Sequence, residues 1–345
     1  MPWMENISLR EYNTFGISTV ARYFARFSDQ EQLAALLEPI SRPSPLIHHH
    51  SPHPVFILGG GSNILLTGDI DGLVLKNEIT GIDLVLEDEK YLYVRAGAGE
   101  SWHGFVQYCL GHGWAGVENL SLIPGSVGAA PMQNIGAYGV ELREVFHELE
   151  AWDLEDGRVR MFTLNDCHFG YRESIFKKEY KGRFIILNVT FRLNRIPVFH
   201  TQYGAIREEL DKMGVQQLSI QAISQAVVHI RSAKLPDPAQ IGNAGSFFKN
   251  PTVPNDRFAA LQAQFPGIVG YPAQKVTKLA AGWLIEQCGW KGYRRGDAGC
   301  HASQALVLVN YGHATGREIY DLSEEILRSV RQKFGVTLER EVNIL

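Results

Sequence analysis

The residues of this 345-residue chain best suited to chemistry lie in a few short stretches that carry little side-chain bulk. The run Ile123–Gly139 holds four glycines, three alanines, two prolines and no formal charge in seventeen positions. Such a segment gains little from packing and gives up backbone entropy when it is ordered. A ligand lying directly against the main chain, bonded by N–H groups, is a reason to keep it. A tight buried loop is the plain alternative. Gln133 and Asn134 in its middle donate and accept through amide groups, as a heterocyclic ring system requires. A second stretch, Gly242–Pro251, sets Ser246 on a pinched turn beside Phe247 and Phe248, with Lys249 and Asn250 able to meet an anion. Most turn serines are satisfied by their own backbone, and no Gly-x-Ser-x-Gly elbow is present, so an acyl-enzyme nucleophile is not indicated. A third stretch, Cys167–Lys177, places Arg172 among aromatics. Its planar fork suits a carboxylate there, and a ring face or a local glutamate equally well.

Other candidates are weaker. Lys234 and Lys291 could contact phosphate, although most lysines are merely solvated. Glu341 falls on the polar face of the last strand, where a carboxylate is usually just exposed. His48, His49, His50 and His53 resemble a metal patch, but their loop setting, without a nearby cysteine or carboxylate, reads better as a plain insertion. The glycine run at Gly59 does not make a dinucleotide fingerprint. Aligned to G-x-G-x-x-G, Gly59 to Ile64 ends in isoleucine, and no helical apolar face follows to hold a pyrophosphate. Gly97 to Trp102 fails at the same position, so the Rossmann fold is rejected. A strand ending in Gly59-Gly-Gly-Ser-Asn63 can still hold a diphosphate through successive N–H groups and the Ser62 and Asn63 side chains.

The elements that must position these residues are strand-rich early and helix-rich late. Ser28-Asp-Gln-Glu31 reads as a capping box ahead of Leu33, Leu36 and Leu37, opening a helix that ends before Pro39. Strands are expected at Val55–Leu58, Gly72–Lys76, Ile82–Leu86, Tyr91–Arg95 and across Leu149 to Arg192. A helix between them turns Trp102, Phe105, Val106, Cys109 and Leu110 to one face. A domain boundary is expected near Asn194–Pro197, dividing residues 1–196 (subdomains roughly 1–75 and 76–196) from 197–345. Beyond it come helices from about Ser219 to Arg231 and from Thr277 to Cys288. A last helix starts at the box Thr315-Gly-Arg-Glu318 and stops at Gly335. The strand Val336–Val342 follows, with Val336, Leu338 and Val342 on one side and Glu339 and Glu341 on the other.

Composition narrows the class. Hydrophobic residues make up 45% and charged residues 20%, with a net charge of −4, so neither nucleic acid nor an anionic membrane is an expected partner. No apolar run approaches the ~18 residues of a span, and the first residues lack a secretory pattern. Cys109, Cys167, Cys288 and Cys300 form no Cys-x-x-Cys pair and read as free thiols of a reducing compartment. A cytoplasmic protein is expected, and a monomer, since no surplus apolar helix face is evident.

Taken together, the runs Asn13–Gly16, Ile57–Asn63, Ile123–Gly139, Phe169–Arg172, Tyr203–Gly204, Lys234–Pro238, Gly245–Pro251 and Ala280–Ile285 resemble the UDP-N-acetylenolpyruvoylglucosamine reductases. They stand in family order over nearly the whole chain. Tyr203 and Phe169–Ser174 resemble the family's longer subtype. The resemblance implies an α+β, FAD-binding fold of the vanillyl-alcohol-oxidase (PCMH) type, with two α+β subdomains clasping the flavin and a third α+β domain closing over the substrate. It implies FAD held by Gly59, Gly60, Gly61, Ser62 and Asn63 and by Pro124, Gly125, Ser126, Gly128, Ala129, Gln133, Asn134, Gly136 and Ala137. Ser62 and Asn63 stand where some oxidases of this fold carry a flavin-bonded histidine, so non-covalent FAD is expected.

The catalytic set the resemblance implies is Arg172, Ser246 and Glu341, with Tyr171, Tyr203, Lys234, Asn250, Lys291 and Gln304 around the UDP-sugar. The surroundings of Lys291 and Gln304 depart from some members. The implied reaction takes hydride from NADPH to FAD and from reduced flavin to the enolpyruvyl double bond of UDP-N-acetylglucosamine enolpyruvate, in cell-wall peptidoglycan precursor synthesis. Arg172 would bind the substrate carboxylate, Glu341 would donate to it in protonated form, and Ser246 would protonate the neighbouring carbon. An oxidase of a small alcohol on the same fold, or a nucleotide-sugar binding protein without flavin, are the rival readings.

Overall fold

In the computed structural model, which describes residues 3–41 and 54–345, the chain forms two units. The first takes the N-terminal segment up to Ile7 with Ala21–Gly60 and Ile70–Arg231, and the second takes Ser8–Val20, Gly61–Asp69 and Ser232–Leu345.

Two unlike sheets build the first unit. β1 (Met4–Ser8), β2 (Val20–Phe27), β3 (Val55–Leu58) and β4 (Ile70–Asn77) form a sheet in the order β1-β2-β4-β3, with β4 parallel to both β2 and β3. Parallel strands need crossovers, and one is α1 (Gln30–Ser41), whose Leu33, Leu36 and Leu37 bury against Leu73, Leu75 and Phe27. The cap is displaced by one residue from the expected box. Asp29 Oδ1 accepts from Gln32 N at 2.8 Å, and the Gln32 amide oxygen reaches back to Ser28 N. The helix also runs through Pro39 to Ser41 rather than ending before the proline. A proline this near the C-terminus removes one N–H from the final turn only.

The second sheet is antiparallel: β5 (Ile82–Glu87), β6 (Tyr91–Gly97), β7 (Phe146–Asp153), β8 (Arg158–Thr163) and β9 (Phe184–Asn194), in the order β8-β7-β9-β6-β5. One face is covered by α2 (Trp102–Gly111), whose five expected apolar residues are all buried. Trp102, Phe105 and Phe191 meet there with centroids 4.6–5.7 Å apart.

The expected boundary at 196/197 is not where the units change. α3 (Gly204–Lys212) and α4 (Ile220–Lys234) bury Ile206, Leu210, Ile223 and Val227 against each other. Ile220 joins the core of the antiparallel sheet, and Ser224 Oγ lies 2.7 Å from Ser121 Oγ. These contacts hold the helices, as far as Arg231, in the first unit.

The second unit holds β10 (Gly242–Ser246), β11 (Thr252–Pro254), β12 (Gly270–Pro272), β13 (Val276–Leu279), β14 (Arg294–Arg295), β15 (Ala298–Cys300) and β16 (Val307–Asn310) in two sheets, ordered β10-β16-β15-β14 and β11-β13-β12. Its helices are α5 (Asn255–Gln264), α6 (Ala281–Gln287) and α7 (Gly316–Phe334). α6 is shorter than expected, because Thr277 belongs to β13. That stretch begins with β-branched Val276 and Thr277 and pairs with Thr252–Pro254. α7 has the anticipated reciprocal cap at Thr315 and Glu318 and a left-handed stop at Gly335. The segment after it alternates as expected, with Val336, Leu338 and Val342 all buried. It is not a strand, however. Among the described residues its one β-bridge is Phe248 with Arg340, and a two-residue strand follows at Asn343–Ile344 beside Ile64–Leu65.

Among the described residues no helix is long and apolar enough to cross a membrane, and no group of three His, Cys, Asp or Glu could hold a metal. The histidines at 48–50 and 53 and the expected insertion from Ser41 to Pro54 lie outside the described residues, apart from the two end positions. No disulfide forms: Cys109, Cys167 and Cys300 are buried, and burial pushes the Cys167 and Cys300 thiols up to about 12.

A buried ion pair closes the antiparallel sheet. Asp153 at the end of β7 is fully buried; Arg183 Nε and Nη2 donate to it at 3.0 and 2.7 Å, and Arg160 Nη2 lies 3.0 Å away. The Arg183 bonds, chiefly, hold this carboxyl below the usual range. A depressed folded value means that the contribution is present above the unfolded value of ~3.9 and lost as pH falls through the folded one. Asp153→Asn is therefore expected to cost roughly 1–3 kcal/mol at pH 7 in urea unfolding, because the new, buried amide NH2 faces guanidinium donors and finds no acceptor. That difference should shrink below about pH 4. An equal penalty at pH 7 and pH 3 would refute the charge pairing.

Candidate active site

The three glycine-rich turns, far apart in the sequence, meet in the first unit. Beyond Leu58 at the end of β3, a Cβ on Gly59 would stand 2.4 Å from Ser126 Oγ, and one on Gly60 would stand 2.8 Å from Gly125 Cα. The turn after β6 grips the same loop: Gly128 N donates to Ala98 O at 2.9 Å and Val127 N to Glu100 O at 2.8 Å. A Cβ on Gly128 would lie 2.5 Å from Ala98 Cβ. At Gly60 the glycine is needed so that main chain can lie on main chain, and at Gly59 and Gly128 so that the Ser126 and Ala98 side chains have room. Among the described residues the N–H groups of Gly60, Gly125 and Ser126 donate to no protein acceptor, although Ser126 is only 5% exposed. Amide hydrogens left in this way fit an anionic ligand. The diphosphate of FAD suits this knot, with Ser126 Oγ as a further donor. In the second unit Gly61 takes a positive φ of 62°, and its added Cβ would fall 1.9 Å from Tyr12 O. Ser62 and Asn63 follow it, and Asn343 N donates to Asn63 O at 3.1 Å.

Asn134 departs from the expected role. It is fully buried at a left-handed φ of 44°, and its amide ties the loop to the segments that follow it and to Gly170. Nδ2 donates to Glu141 Oε2 and Gly170 O at 3.0 Å each, and Oδ1 accepts from Arg143 N at 3.0 Å. With both amide hydrogens committed, the side chain holds the loop's shape and has none left to donate to a ring. Gln133 Oε1 accepts from Lys177 Nζ at 3.2 Å.

Arg172 sits over the end of the same loop. Its own φ is 57°, its Nη2 donates to Gly136 O at 2.6 Å, and its Cζ lies 5.4 Å from the Tyr171 ring centre. A non-glycine residue in the left-handed region is strained and persists only where its surroundings impose it. Tyr138, at φ 50°, meets Tyr203 edge-on at 5.4 Å. Arg231, which the sequence did not single out, ends the same cluster. Its Nε donates to Leu122 O at 3.2 Å, and it has no ion-pair partner among the described residues. Burial lowers its guanidinium from the ordinary value, against the pull of Tyr138, and nearby Arg172 lowers it further. A half-buried cation beside a second cation, without a carboxylate of its own, suits an anion.

The second unit brings Ser246 and Glu341 together. β10 ends at Ser246, Phe247 N donates to Leu306 O at 2.8 Å, and Glu341 N donates to Phe247 O at 2.9 Å. Buried Phe247 and Phe248, with centroids 5.2 Å apart, anchor the strand end that carries Ser246. Gly245, at φ 69°, makes the pinch. The Ser246 hydroxyl is half-buried and makes no hydrogen bond among the described residues. It is thus not a serine satisfied by its own turn.

The outlying candidates divide. Asn250 Oδ1 accepts from Ala281 N at 2.9 Å and so caps α6. Lys249 pairs with Glu339 at 3.2 Å. Lys291 is exposed and pairs with Glu286 at 3.0 Å, as an ordinary surface lysine would. Lys234 is exposed at the end of α4, and Gln304 is half-buried before β16 with its Oε1 3.5 Å from Leu306 N.

Residues 23–163 match the FAD binding domain family, which makes the chain an α+β flavoprotein, and the unpaired amides on its pinched glycine knot fit that class. Residues 237–345 match the C-terminal domain family of UDP-N-acetylenolpyruvoylglucosamine reductase. The reductase of that name from Pseudomonas putida is 51% identical over 99% of this chain and 98% of its own length. The one from Amoebophilus asiaticus is 51% identical over 100% of both chains. The solved structure of the reductase from Thermus caldophilus superposes with a TM-score of 0.68 at 24% identity, covering 99% of both chains, and shares the fold. The chain belongs to the UDP-N-acetylenolpyruvoylglucosamine reductase family.

Proposed function

We propose that this protein reduces the enolpyruvyl double bond of UDP-N-acetylglucosamine enolpyruvate to UDP-N-acetylmuramate, with NADPH as hydride donor and non-covalent FAD as carrier. The observation that carries the chemistry is the half-buried Ser246 hydroxyl, left without a protein partner on the segment that runs beside Glu341. Bound FAD would supply hydride to the terminal carbon of the double bond. The chain's own work is then to manage the charge that develops beside the substrate carboxylate.

Arg172 takes that carboxylate with its planar fork, its orientation fixed by the bond to Gly136 O. Glu341 donates to the same group in protonated form, and Ser246 gives a proton to the carbanionic carbon. An alcohol is a weak acid, but a carbanion is a strong base, so position decides the transfer. Tyr171, Tyr203, Lys234, Asn250, Lys291 and Gln304 are proposed to bind the UDP-sugar. We place the protein in the cytoplasm as a monomer that serves peptidoglycan synthesis, and so cell shape and division.

The purified protein should be yellow, bleach with NADPH, and consume NADPH stoichiometrically only when the UDP-sugar is added. Colourless protein, or turnover with oxygen alone, would sink the reading. Arg172→Lys keeps the charge and loses the fork. It should slow reoxidation by the UDP-sugar about 10²-fold, the scale of losing one pre-aimed donor. A rate within threefold of the unsubstituted enzyme would remove Arg172 from this role.

A further inference from the structure

A lysine that no motif includes lies directly behind the first glycine turn. Ligands of open sheets with parallel strands gather beyond the carboxyl ends of those strands. In the first unit three parallel strands end together, with Arg26, Lys76 and Leu58 in register across β2, β4 and β3. The turn Gly59-Gly60 leaves the sheet at this edge. Lys76 Nζ donates to Gly59 O at 2.8 Å. Because a trans peptide sets its carbonyl and its N–H in opposite directions, that bond turns the Gly60 N–H away from the ammonium. Gly60 N is one of the amides without a protein acceptor among the described residues.

The charge at Lys76 is not neutralised in place. Arg26 takes Glu78 at 3.2 Å, and no carboxylate forms an ion pair with Lys76 among the described residues. Its side chain is half-buried. Burial lowers its ammonium from the ordinary value, with Glu78 opposing that and Arg26 adding to it. A strand lysine kept partly out of water, charge unpaired and tip on a backbone carbonyl, does nothing for the sheet that a solvated lysine would not do.

We propose that Lys76 is a positioning residue for the dinucleotide diphosphate: by binding Gly59 O it fixes the Gly59–Gly60 peptide with its N–H outward and polarises that N–H toward the anion. Hydrogen bonds in a chain strengthen one another, and a charged donor at one end of the peptide strengthens the donor at the other. This rests on the reading that the chain binds FAD.

The test uses apoprotein of the full chain titrated with FAD by flavin fluorescence, at several NaCl concentrations. The unsubstituted protein must bind FAD; if it does not, the functional reading fails and not this one alone. Lys76→Met should weaken FAD binding about tenfold, the scale of one charge-assisted hydrogen bond. It should also flatten the salt dependence of the affinity, since an electrostatic contribution is screened. Lys76→Gln retains a donor without charge and should resemble Lys76→Met, whereas Lys76→Arg should stay within threefold of the unsubstituted protein. FAD affinity within twofold for both Met and Gln would overturn the proposal. So would a weakening with unchanged salt dependence, which would mean that Lys76 only props the turn. Should Lys76→Met not fold, Lys76→Gln decides by the same two readouts.

Discussion

Ser246→Ala is expected to leave bleaching by NADPH at its normal rate and to slow the return of colour on adding the UDP-sugar about 10³-fold, the middle of the range for a lost general acid or base. The reasoning starts from local structure. Phe247 and Phe248 are buried and Gly245 bends the chain, so the backbone around Ser246 is set without help from its hydroxyl. The hydroxyl makes no hydrogen bond among the described residues, so removing it breaks no hydrogen-bond network. Any effect is then chemical. The two half-reactions separate that effect cleanly, because only the second needs a proton on carbon. Ser246→Cys, which keeps a transferable proton, should recover part of the second rate. Equal slowing of both halves in Ser246→Ala would assign the residue to flavin binding and not to proton delivery.

Much of the scaffold could be read from the residues because the forces setting it are local. The cap at Thr315 with Glu318 and the stop at Gly335 are interactions within one or two turns, and α7 begins and ends on them. The apolar face of α2 follows from period alone. Reading failed where distant partners decide. The alternation over Val336–Val342 correctly marks which side chains are buried, yet strand formation requires a neighbour along its whole length, and only Phe248 with Arg340 is in register. Thr277 looked helical because the apolar residues after it repeat at helical spacing; its pairing with Val253 is invisible in sequence. The end of the first unit moved from 196 to Arg231 because Ser224 finds a partner 103 residues earlier in the chain and Ile220 joins the core of the antiparallel sheet.

The candidate site shows the same division. Glycine-rich turns announce themselves by composition, and their meeting at Gly60, Gly125 and Gly128 was the reason to keep them. Asn134 carries the amide that a ring would want, but three bonds, to Glu141, Arg143 and the distant Gly170, claim it. Lys76 and Arg231 are the reverse case. One reads as the polar position of an apolar strand and the other as the end of a helix. Only a half-buried charge that forms no ion pair among the described residues, a three-dimensional fact, marks them.

Gly60→Ala should give a folded apoprotein that purifies colourless and binds FAD about 10²-fold more weakly, the loss of two hydrogen bonds to a charged group. One methyl group suffices because of where it would go. Its nearest neighbours would be Gly125 Cα at 2.8 Å, Gly125 C at 3.1 Å and Ser126 N at 3.4 Å, all main chain of the facing loop. No flexible side chain is available to move aside, so the two turns must separate by some tenths of an ångström. The amides of Gly60, Gly125 and Ser126 then no longer converge at hydrogen-bonding distance on one anion, while the sheets beneath are untouched. The helices α1 and α2 pack elsewhere on these sheets, so the thermal transition of the apoprotein should move little. Gly113→Ala is the control. It carries a left-handed strain at φ 74° that Gly60→Ala does not, and no atom lies within 4 Å of the added Cβ, so it loads the backbone more without touching the knot and should keep its colour. Full FAD affinity in Gly60→Ala would mean that the diphosphate does not lie on this turn, and the assignment of the glycine knot as the flavin site would fall with it.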